Sequence, residues 1–146
     1  MATILLLNGP NLNTLGQREP SIYGATTLKQ IEKAVGDLAR EAGHQVQCFQ
    51  SNSEGDMVDW LHKHNKADFL LINAGAYTHT SVALRDAILA IKIPFIEIHI
   101  SNVHAREAFR GKSYLADIAV GIISGLGPMG YELATSYALD KLKSGA

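Results

Sequence analysis

Two ionisable side chains, Glu97 and His99, stand two positions apart in the otherwise apolar segment 95–100. Residues two apart in a β-strand point to the same face. Strands of a parallel sheet are usually continuous apolar runs, and burying an unpaired charge is costly. A Glu beside a His at a strand end therefore predicts a proton-transfer pair, in which the carboxylate orients the imidazole as an acid near neutral pH. The alternative is an ion pair that only closes the end of the sheet.

A second candidate pair, Arg18 and Tyr23, lies in the longest connection of the chain, residues 9–25. Loops beyond ~12–15 residues without structure of their own are uncommon and often act as lids or binding loops. A cation near a phenol stabilises the phenolate, so this tyrosine could serve as a base. The alternative is an Arg and a Tyr on a solvated loop.

The remaining polar candidates follow the predicted strands, at residues 8–11, 51–53, 73–75, 99–102 and 124–127. Ligands of parallel sheets sit beyond the carboxyl ends of the strands. Turn chemistry alone explains many of these Asn and Gly residues, because both tolerate left-handed backbone angles. Together, however, they predict a cleft of neutral donors and acceptors that suits a small polyhydroxylated ligand.

The elements that must position these residues alternate along the chain. Apolar runs predict five strands, at 3–8, 46–49, 69–73, 94–100 and 118–124. Apolar periodicity predicts a first helix from the Thr27 capping box to Gly43. It predicts further helices at 54–65, 81–91 and 129–143, and a short one at 104–109. This order predicts a parallel sheet covered on both faces. We expect an α/β fold, a flavodoxin-like three-layer sandwich with a five-stranded parallel sheet, as a single catalytic domain over residues 1–146.

Composition excludes several classes of protein. The chain has 13 Lys and Arg against 14 Asp and Glu, which argues against a nucleic-acid partner. The single cysteine, Cys48, cannot form an intramolecular disulfide. The first residues lack the basic lead and the long apolar run of a signal peptide or a membrane span, so a cytoplasmic location is expected. Charged residues are only 18% of the chain, below the ~25% typical of soluble domains, which suggests surface covered by other subunits.

Two further motifs do not predict a cofactor or a metal. Residues 125–130 fit G-x-G-x-x-G, but too little chain follows for the strand and acidic residue that a dinucleotide site needs. A tight strand-to-helix turn is expected there instead. His62 and His64 point in different directions on a helix, and no H-E-x-x-H or paired-Cys spacing occurs, so no metal site is expected.

Four motifs resemble the type II 3-dehydroquinate dehydratases over essentially the whole chain. They are LNGPNLN at 7–13, REPSIYG at 18–24, INAGAYTHTS at 72–81 and EIHISN at 97–102. The resemblance implies an enzyme that removes water from 3-dehydroquinate to give 3-dehydroshikimate in the shikimate pathway of aromatic amino-acid biosynthesis. It also implies that the reaction proceeds through an enolate, with no cofactor, no metal and no covalent lysine adduct.

The resemblance also implies a role for each matched residue. Tyr23 would take the proton beside the ketone, with Arg18 stabilising its phenolate. Asn11 would hold a water that stabilises the enolate oxygen. His99, oriented by Glu97, would protonate the departing hydroxyl.

Substrate contacts and assembly follow from the same resemblance. The residues expected to contact the substrate are Asn73, His79, Asp86 and Arg110, together with the backbone amides of Ile100 and Ser101 at its carboxylate. Family members form homododecamers, tetramers of trimers, in which the position of Asp86 reaches a neighbouring site. The alternative from another class is a noncatalytic binder of flavin mononucleotide or a polyol on the same fold, which a yellow purified protein would indicate.

Overall fold

The computed structural model describes residues 1–17 and 25–143, and these form one sheet of five parallel strands. The strands are β1 (Thr3–Asn8), β2 (Gln45–Gln50), β3 (Phe69–Asn73), β4 (Phe95–His99) and β5 (Gly121–Ser124). Their order across the sheet is β2-β1-β3-β4-β5, and all neighbouring pairs are parallel. This is the doubly wound order, whose direction reverses between β1 and β3.

Helices cover both faces of this sheet. In the described residues they are α1 (Leu28–Glu41), α2 (Glu54–Lys63), α3 (Val82–Ile91) and α4 (Met129–Lys143). Helices α1 and α4 pack on one face and α2 and α3 on the other, and each pair encloses its own apolar core against the sheet. The predicted flavodoxin-like three-layer sandwich is therefore confirmed. None of the described helices is both long enough and apolar enough to cross a membrane.

The period-two geometry of the strands decides which core each side chain enters. In β1, Ile4 and Leu6 face α1 and α4, whereas Leu5 and Leu7 face α2 and α3, and all four are fully buried. Both faces of the strand are covered, so its sequence is apolar without alternation. The same alternation determines to which face of the sheet each polar residue at a strand end points, and therefore which pair of helices packs against it.

The start of α1 follows the predicted capping box. Thr27 Oγ1 accepts a hydrogen bond from the Gln30 amide at 3.2 Å, and the Thr27 amide donates to Gln30 Oε1 at 2.9 Å. At the other end Gly43 has a φ of 84°, the left-handed angle that ends a helix. Local residue types thus determine both limits of this helix.

Two predicted elements differ from the structure. The segment 104–109 is not one helix, because two short 3-10 helices form at Val103–Ala105 and Ala108–Gly111. The fifth strand begins at Gly121 rather than at residue 118, because a 3-10 turn at Ala116–Ile118 precedes it. The amides of Ile118 and Ala119 both donate to the Leu115 carbonyl, which turns the chain before it can extend.

Candidate active site

A cavity of about 130 Å³ opens at the carboxyl ends of β1, β3 and β4. It adjoins the point where the strand order reverses, which is the usual ligand crevice of a doubly wound sheet. The cavity brings together most of the site residues predicted from the sequence: Asn11, Asn73, His79, His99, Ile100, Ser101 and Arg110. Positions that are distant in the chain therefore meet at one edge of the sheet.

A close approach of two backbone turns forms one wall of this cavity. The Gly9 amide donates to the Asn73 carbonyl at 2.8 Å, and a Cβ atom at Gly9 would lie 2.3 Å from the Ala74 carbonyl oxygen. Only glycine fits at this contact. The chain then turns at Asn11, which has a φ of 69° and whose amide donates to Asn52 Oδ1 at 2.9 Å. The turn places Asn11 on the cavity wall.

Glu97 and His99 form the predicted pair at the end of β4. Both side chains are buried, with 1% and 6% of their surface exposed. His99 Nε2 is hydrogen-bonded to Glu97 Oε2, and His99 also lines the cavity. The prediction that the two side chains share one face is confirmed.

Two hydroxyl groups hold the Glu97 carboxylate from the α2 and α3 side of the sheet. Thr78 Oγ1 donates to Glu97 Oε2 at 3.0 Å, and Ser113 Oγ lies 3.0 Å from each carboxylate oxygen. Ser113 Oγ also accepts the amides of Leu115 at 3.0 Å and Ala116 at 3.1 Å. Because those amides occupy its lone pairs, the Ser113 proton is left to donate to Glu97.

These contacts decide the charge of Glu97. Burial by itself raises the pKa of this carboxyl, but the hydrogen bonds from His99, Ser113 and Thr78 outweigh burial and hold the pKa below its usual value. An ionised carboxylate can only accept, so His99 Nε2 carries the proton that it donates to Glu97. The pair thus presents an imidazole of fixed orientation to the cavity, beside a negatively charged carboxylate.

Sequence reasoning missed Thr78 and Ser113. They lie 19 and 16 positions from Glu97, in the 3-10 helix Gly75–His79 and in a loop, where no periodic pattern predicts contacts. One signal was available, because a buried carboxylate requires donors, and hydroxyl residues near strand ends are candidates.

His79 forms the wall beside His99. The two rings lie nearly parallel, with centroids 6.3 Å apart. His79 Nδ1 is 2.7 Å from the Lys112 carbonyl oxygen, and because that oxygen can only accept, Nδ1 carries a proton. The hydrogen bond fixes the orientation of a second imidazole at the cavity.

Two arginine side chains also contribute to the cavity lining. Arg106 and Arg110 both line the cavity and are half-buried. Arg110 Nε donates to Glu107 Oε1 at 2.8 Å, and this hydrogen bond is the main reason that the pKa of the exposed Glu107 lies below its usual value. Arg106 Nη1 reaches Ser101 Oγ at 3.4 Å. Guanidinium groups are suited to bind an anionic ligand or hydroxyl oxygens, and Arg106 is a lining residue that sequence reasoning did not single out.

Metal-binding groups do not assemble in the described part of the chain. Within residues 1–17 and 25–143, His, Cys, Asp and Glu side chains form no group of three or more that could hold a metal ion.

A family model described as dehydroquinase class II matches residues 2–139. The chain belongs to this family. The resemblance inferred from the four motifs is thereby confirmed, and the match covers every predicted site residue.

Relatives of this class II dehydroquinase have consistent names. It is 60% identical over 144 residues to the 3-dehydroquinate dehydratase of Alkalilimnicola ehrlichii, covering 97% of this chain and 95% of that protein. It is 57% identical over 145 residues to 3-dehydroquinate dehydratase 1 of Pseudomonas aeruginosa, covering 98% and 99%. The crystal structure of the type II dehydroquinase from Propionibacterium acnes superimposes with a TM-score of 0.90 at 42% identity, covering 96% and 97%. The predicted enzyme class and fold are confirmed.

Two predicted site residues of this dehydroquinase are not described by the structure, and a third is described but does not line the cavity. Arg18 and Tyr23 fall in residues 18–24, outside the described residues. Asp86 lies on α3, where it is exposed and is not part of the cavity lining. The described residues of the predicted site therefore include its imidazole, amide and Arg110 guanidinium groups.

Proposed function

We propose that this class II dehydroquinase removes water from 3-dehydroquinate to give 3-dehydroshikimate, through an enolate intermediate. The observation that carries the proposal is the buried Glu97–His99 pair, whose imidazole faces the cavity. A dehydration needs a base for one proton and an acid for the departing hydroxyl, and a buried, oriented imidazole is suited to the second task. The names of the relatives support the same activity.

His99 acts as the acid in this proposal. Glu97 is held ionised by hydrogen bonds from His99, Ser113 and Thr78, so a negative charge lies beside the imidazole in a buried site. The carboxylate keeps the imidazole ring oriented while His99 passes a proton to the departing hydroxyl.

Tyr23 acts as the base, and Arg18 stabilises its phenolate. Support for these roles comes from the REPSIYG motif at 18–24 and from the chemistry of a cation beside a phenol. Proton removal beside the ketone leaves an enolate, and a water held by Asn11 stabilises its oxygen. Asn11 lines the same cavity as His99, which supports its contact with the substrate.

The other lining residues bind the substrate. Asn73, His79 and Arg110 contact its ring hydroxyls and neighbouring atoms, while the backbone amides of Ile100 and Ser101 hold its carboxylate. The arginine side chains in the cavity lining and the position of Ile100 and Ser101 directly after β4 support this arrangement. The substrate is thus oriented with its carboxylate on one wall and its leaving group towards the imidazole.

Assembly completes the site in this proposal. We place Asp86 at the site of a neighbouring subunit in a homododecamer, a tetramer of trimers located in the cytoplasm. Asp86 is exposed on α3. Large apolar side chains of the β5 and α4 edge are also exposed, among them Ile122, Leu126 and Met129 at 50%, 56% and 61%. Both observations support contacts with further copies of the chain.

An absorbance assay tests the activity. Dehydration of 3-dehydroquinate yields a conjugated product, so ultraviolet absorbance should grow when the purified protein is added. Tyr23→Phe should slow this growth by roughly 10²–10⁴-fold, the usual loss when a general base is removed. Absent product formation by the unmutated protein would refute the activity, and a Tyr23→Phe variant with unchanged turnover would refute the assigned base.

A further inference from the structure

A buried hydrogen-bond chain runs beneath the cavity on the α1 and α4 side of the sheet. Asn73 Nδ2 is 2.8 Å from Tyr131 Oη, and Tyr131 Oη is 2.6 Å from Asn8 Oδ1. The exposed fractions of Asn8, Asn73 and Tyr131 are 0%, 3% and 0%. Of the three, Asn73 lines the cavity. Helix α4, which carries Tyr131, is thereby connected to the cavity through Asn73.

One backbone amide sets the orientation of the Asn73 side chain. The Gly75 amide can only donate, and its partner at 3.1 Å is therefore the Asn73 oxygen, Oδ1. The Asn73 NH₂ group must then point towards Tyr131 and donate to it. Burial raises the pKa of Tyr131, so its hydroxyl keeps the proton and passes a hydrogen bond on to Asn8 Oδ1. The Asn73 orientation follows from the Gly75 contact, and Asn8 Nδ2 is left buried without a hydrogen-bond partner among the described residues.

The Asn73 orientation leaves one proton of its amide available to the cavity. The amide nitrogen has two protons, and Tyr131 accepts only one of them. Since Asn73 Oδ1 is bound to the Gly75 amide, the side chain cannot rotate to present its oxygen without losing both contacts. Asn73 therefore presents an N–H donor to the cavity, which suits a hydroxyl oxygen of the ligand.

The glycine motif at 125–130 explains how Tyr131 comes so close. Gly125 and Gly127 have φ angles of 88° and 64°, so the segment makes the tight strand-to-helix turn predicted from the sequence. A Cβ at Gly130 would lie 3.2 Å from Ile123 Cγ2 and 3.7 Å from Ile98 Cγ2. The absent side chain allows the first turn of α4 to lie against the sheet, and the next residue reaches the strand ends.

We propose that Tyr131 is a positioning residue, which holds the Asn73 amide so that its remaining N–H is aimed at a hydroxyl oxygen of the bound substrate. The role rests on the proposed function in one respect, namely that Asn73 contacts 3-dehydroquinate. Tyr131 does not touch the substrate and acts through Asn73 alone.

A double-mutant cycle tests this dependence. Tyr131→Phe keeps the buried ring and removes the hydroxyl, so KM for 3-dehydroquinate should rise roughly 3–10-fold, the range of one neutral hydrogen bond, while kcat changes less. Asn73→Ala should raise KM by at least as much. Adding Tyr131→Phe to Asn73→Ala should change KM no further, because the residue through which Tyr131 acts is already gone. A Tyr137→Phe variant, which loses a more exposed hydroxyl of the same helix, is the matched control and should behave as the unmutated protein.

Two results would overturn the proposal. One is an unchanged KM in a folded Tyr131→Phe variant. The other is a double variant whose KM increase equals the product of the two single increases, since that would indicate independent, merely structural effects.

A spectroscopic measurement on the unmutated protein separates this inference from the proposed activity. The two side-chain amide protons of Asn73 should differ in solvent exchange, with the proton bound to Tyr131 exchanging slowly, and both should show nuclear Overhauser effects to the Tyr131 ring. Equal, rapid exchange of the two protons would contradict the chain even if Tyr131→Phe cannot be purified. If the protein shows no dehydratase activity, the proposed function fails, and this measurement still decides whether Tyr131 orients Asn73.

Discussion

The two faces of the sheet support the cavity in different ways. On the α2 and α3 face, the Glu97 carboxylate is buried and receives hydroxyl donors from a 3-10 helix and a loop. On the α1 and α4 face, Asn73 is held by neutral groups alone, with Tyr131 supplied by a long helix. We call the α2 and α3 face the charged face and the α1 and α4 face the neutral face. The charged face is suited to moving a proton, whereas the neutral face is suited to recognising a hydroxyl group. This difference predicts that substitutions on the two faces separate turnover from binding.

Replacing the acid should have the largest effect. His99→Asn removes the titrating ring from the charged face, and kcat should fall roughly 10²–10⁴-fold because the departing hydroxyl is no longer protonated. Steady-state kinetics with 3-dehydroquinate measure the change, and His62→Asn, on an exposed position of α2, is the control. A His99→Asn variant that changed KM alone would assign the charged face to binding and remove the contrast between the faces.

Removing the serine donor should shift the pH dependence of turnover. Ser113→Ala takes one hydrogen bond from an ionised carboxylate, and such bonds contribute about 1.5–3 kcal/mol. The pKa of Glu97 should rise, so the acid limb of the kcat profile should move to higher pH. Ser113→Thr retains the hydroxyl and should restore the limb. If both variants kept the profile of the unmutated protein, Ser113 would serve only to shape the loop.

The charged face should also make stability depend on pH. The pKa of Glu97 is lower in the folded protein than the usual 4.5, since hydrogen bonds favour the ionised form. Its contribution is therefore present above about pH 4.5 and is lost as the pH falls through the folded-state pKa. Urea unfolding at about pH 7 and about pH 4 should show this loss, and Glu97→Gln should reduce it. An identical pH slope in the variant would show that other carboxylates account for it.

The neutral face should leave the pH profile unchanged. Tyr131→Phe alters a chain of amides and one hydroxyl that stays protonated, so the pH limits of kcat should coincide with those of the unmutated protein even where KM rises. Rates measured across the pH range at saturating substrate provide the comparison. A shifted limb would show that Tyr131 influences the Glu97–His99 pair on the other face, and that the faces are coupled.

Short-range patterns predicted the parts of this molecule that depend on few residues. The two-residue spacing of Glu97 and His99 requires only that the segment be a strand, and the Thr27 capping box requires only four residues. The fold follows from the same patterns, because alternating strands and helices leave few right-handed, doubly wound solutions.

The supporting contacts needed information that such patterns do not carry. Ser113 reaches Glu97 from a loop whose path depends on tertiary hydrogen bonds, such as that from the Tyr114 amide to the Thr78 carbonyl at 2.9 Å. The glycine motif correctly predicted a tight turn, but its sequence does not indicate that the residue after it lies beneath Asn73. Contacts between distant segments therefore had to come from the structure.

The hydrogen bond between Tyr131 and Asn8 has a consequence for the order of folding. It joins residues 123 positions apart, the first strand to the last helix. Contacts between such distant positions carry a large loop-closure cost and form late. During synthesis the amino-terminal strand emerges first. The hydrogen bonds from Tyr131 to Asn73 and Asn8 cannot form until the chain has been made through α4 and that helix has packed against the sheet. The α1 and α4 side of the site is thus completed last. A ribosome-bound chain that stops before α4 already contains Glu97 and His99, but it lacks the Tyr131 hydroxyl that orients the Asn73 amide.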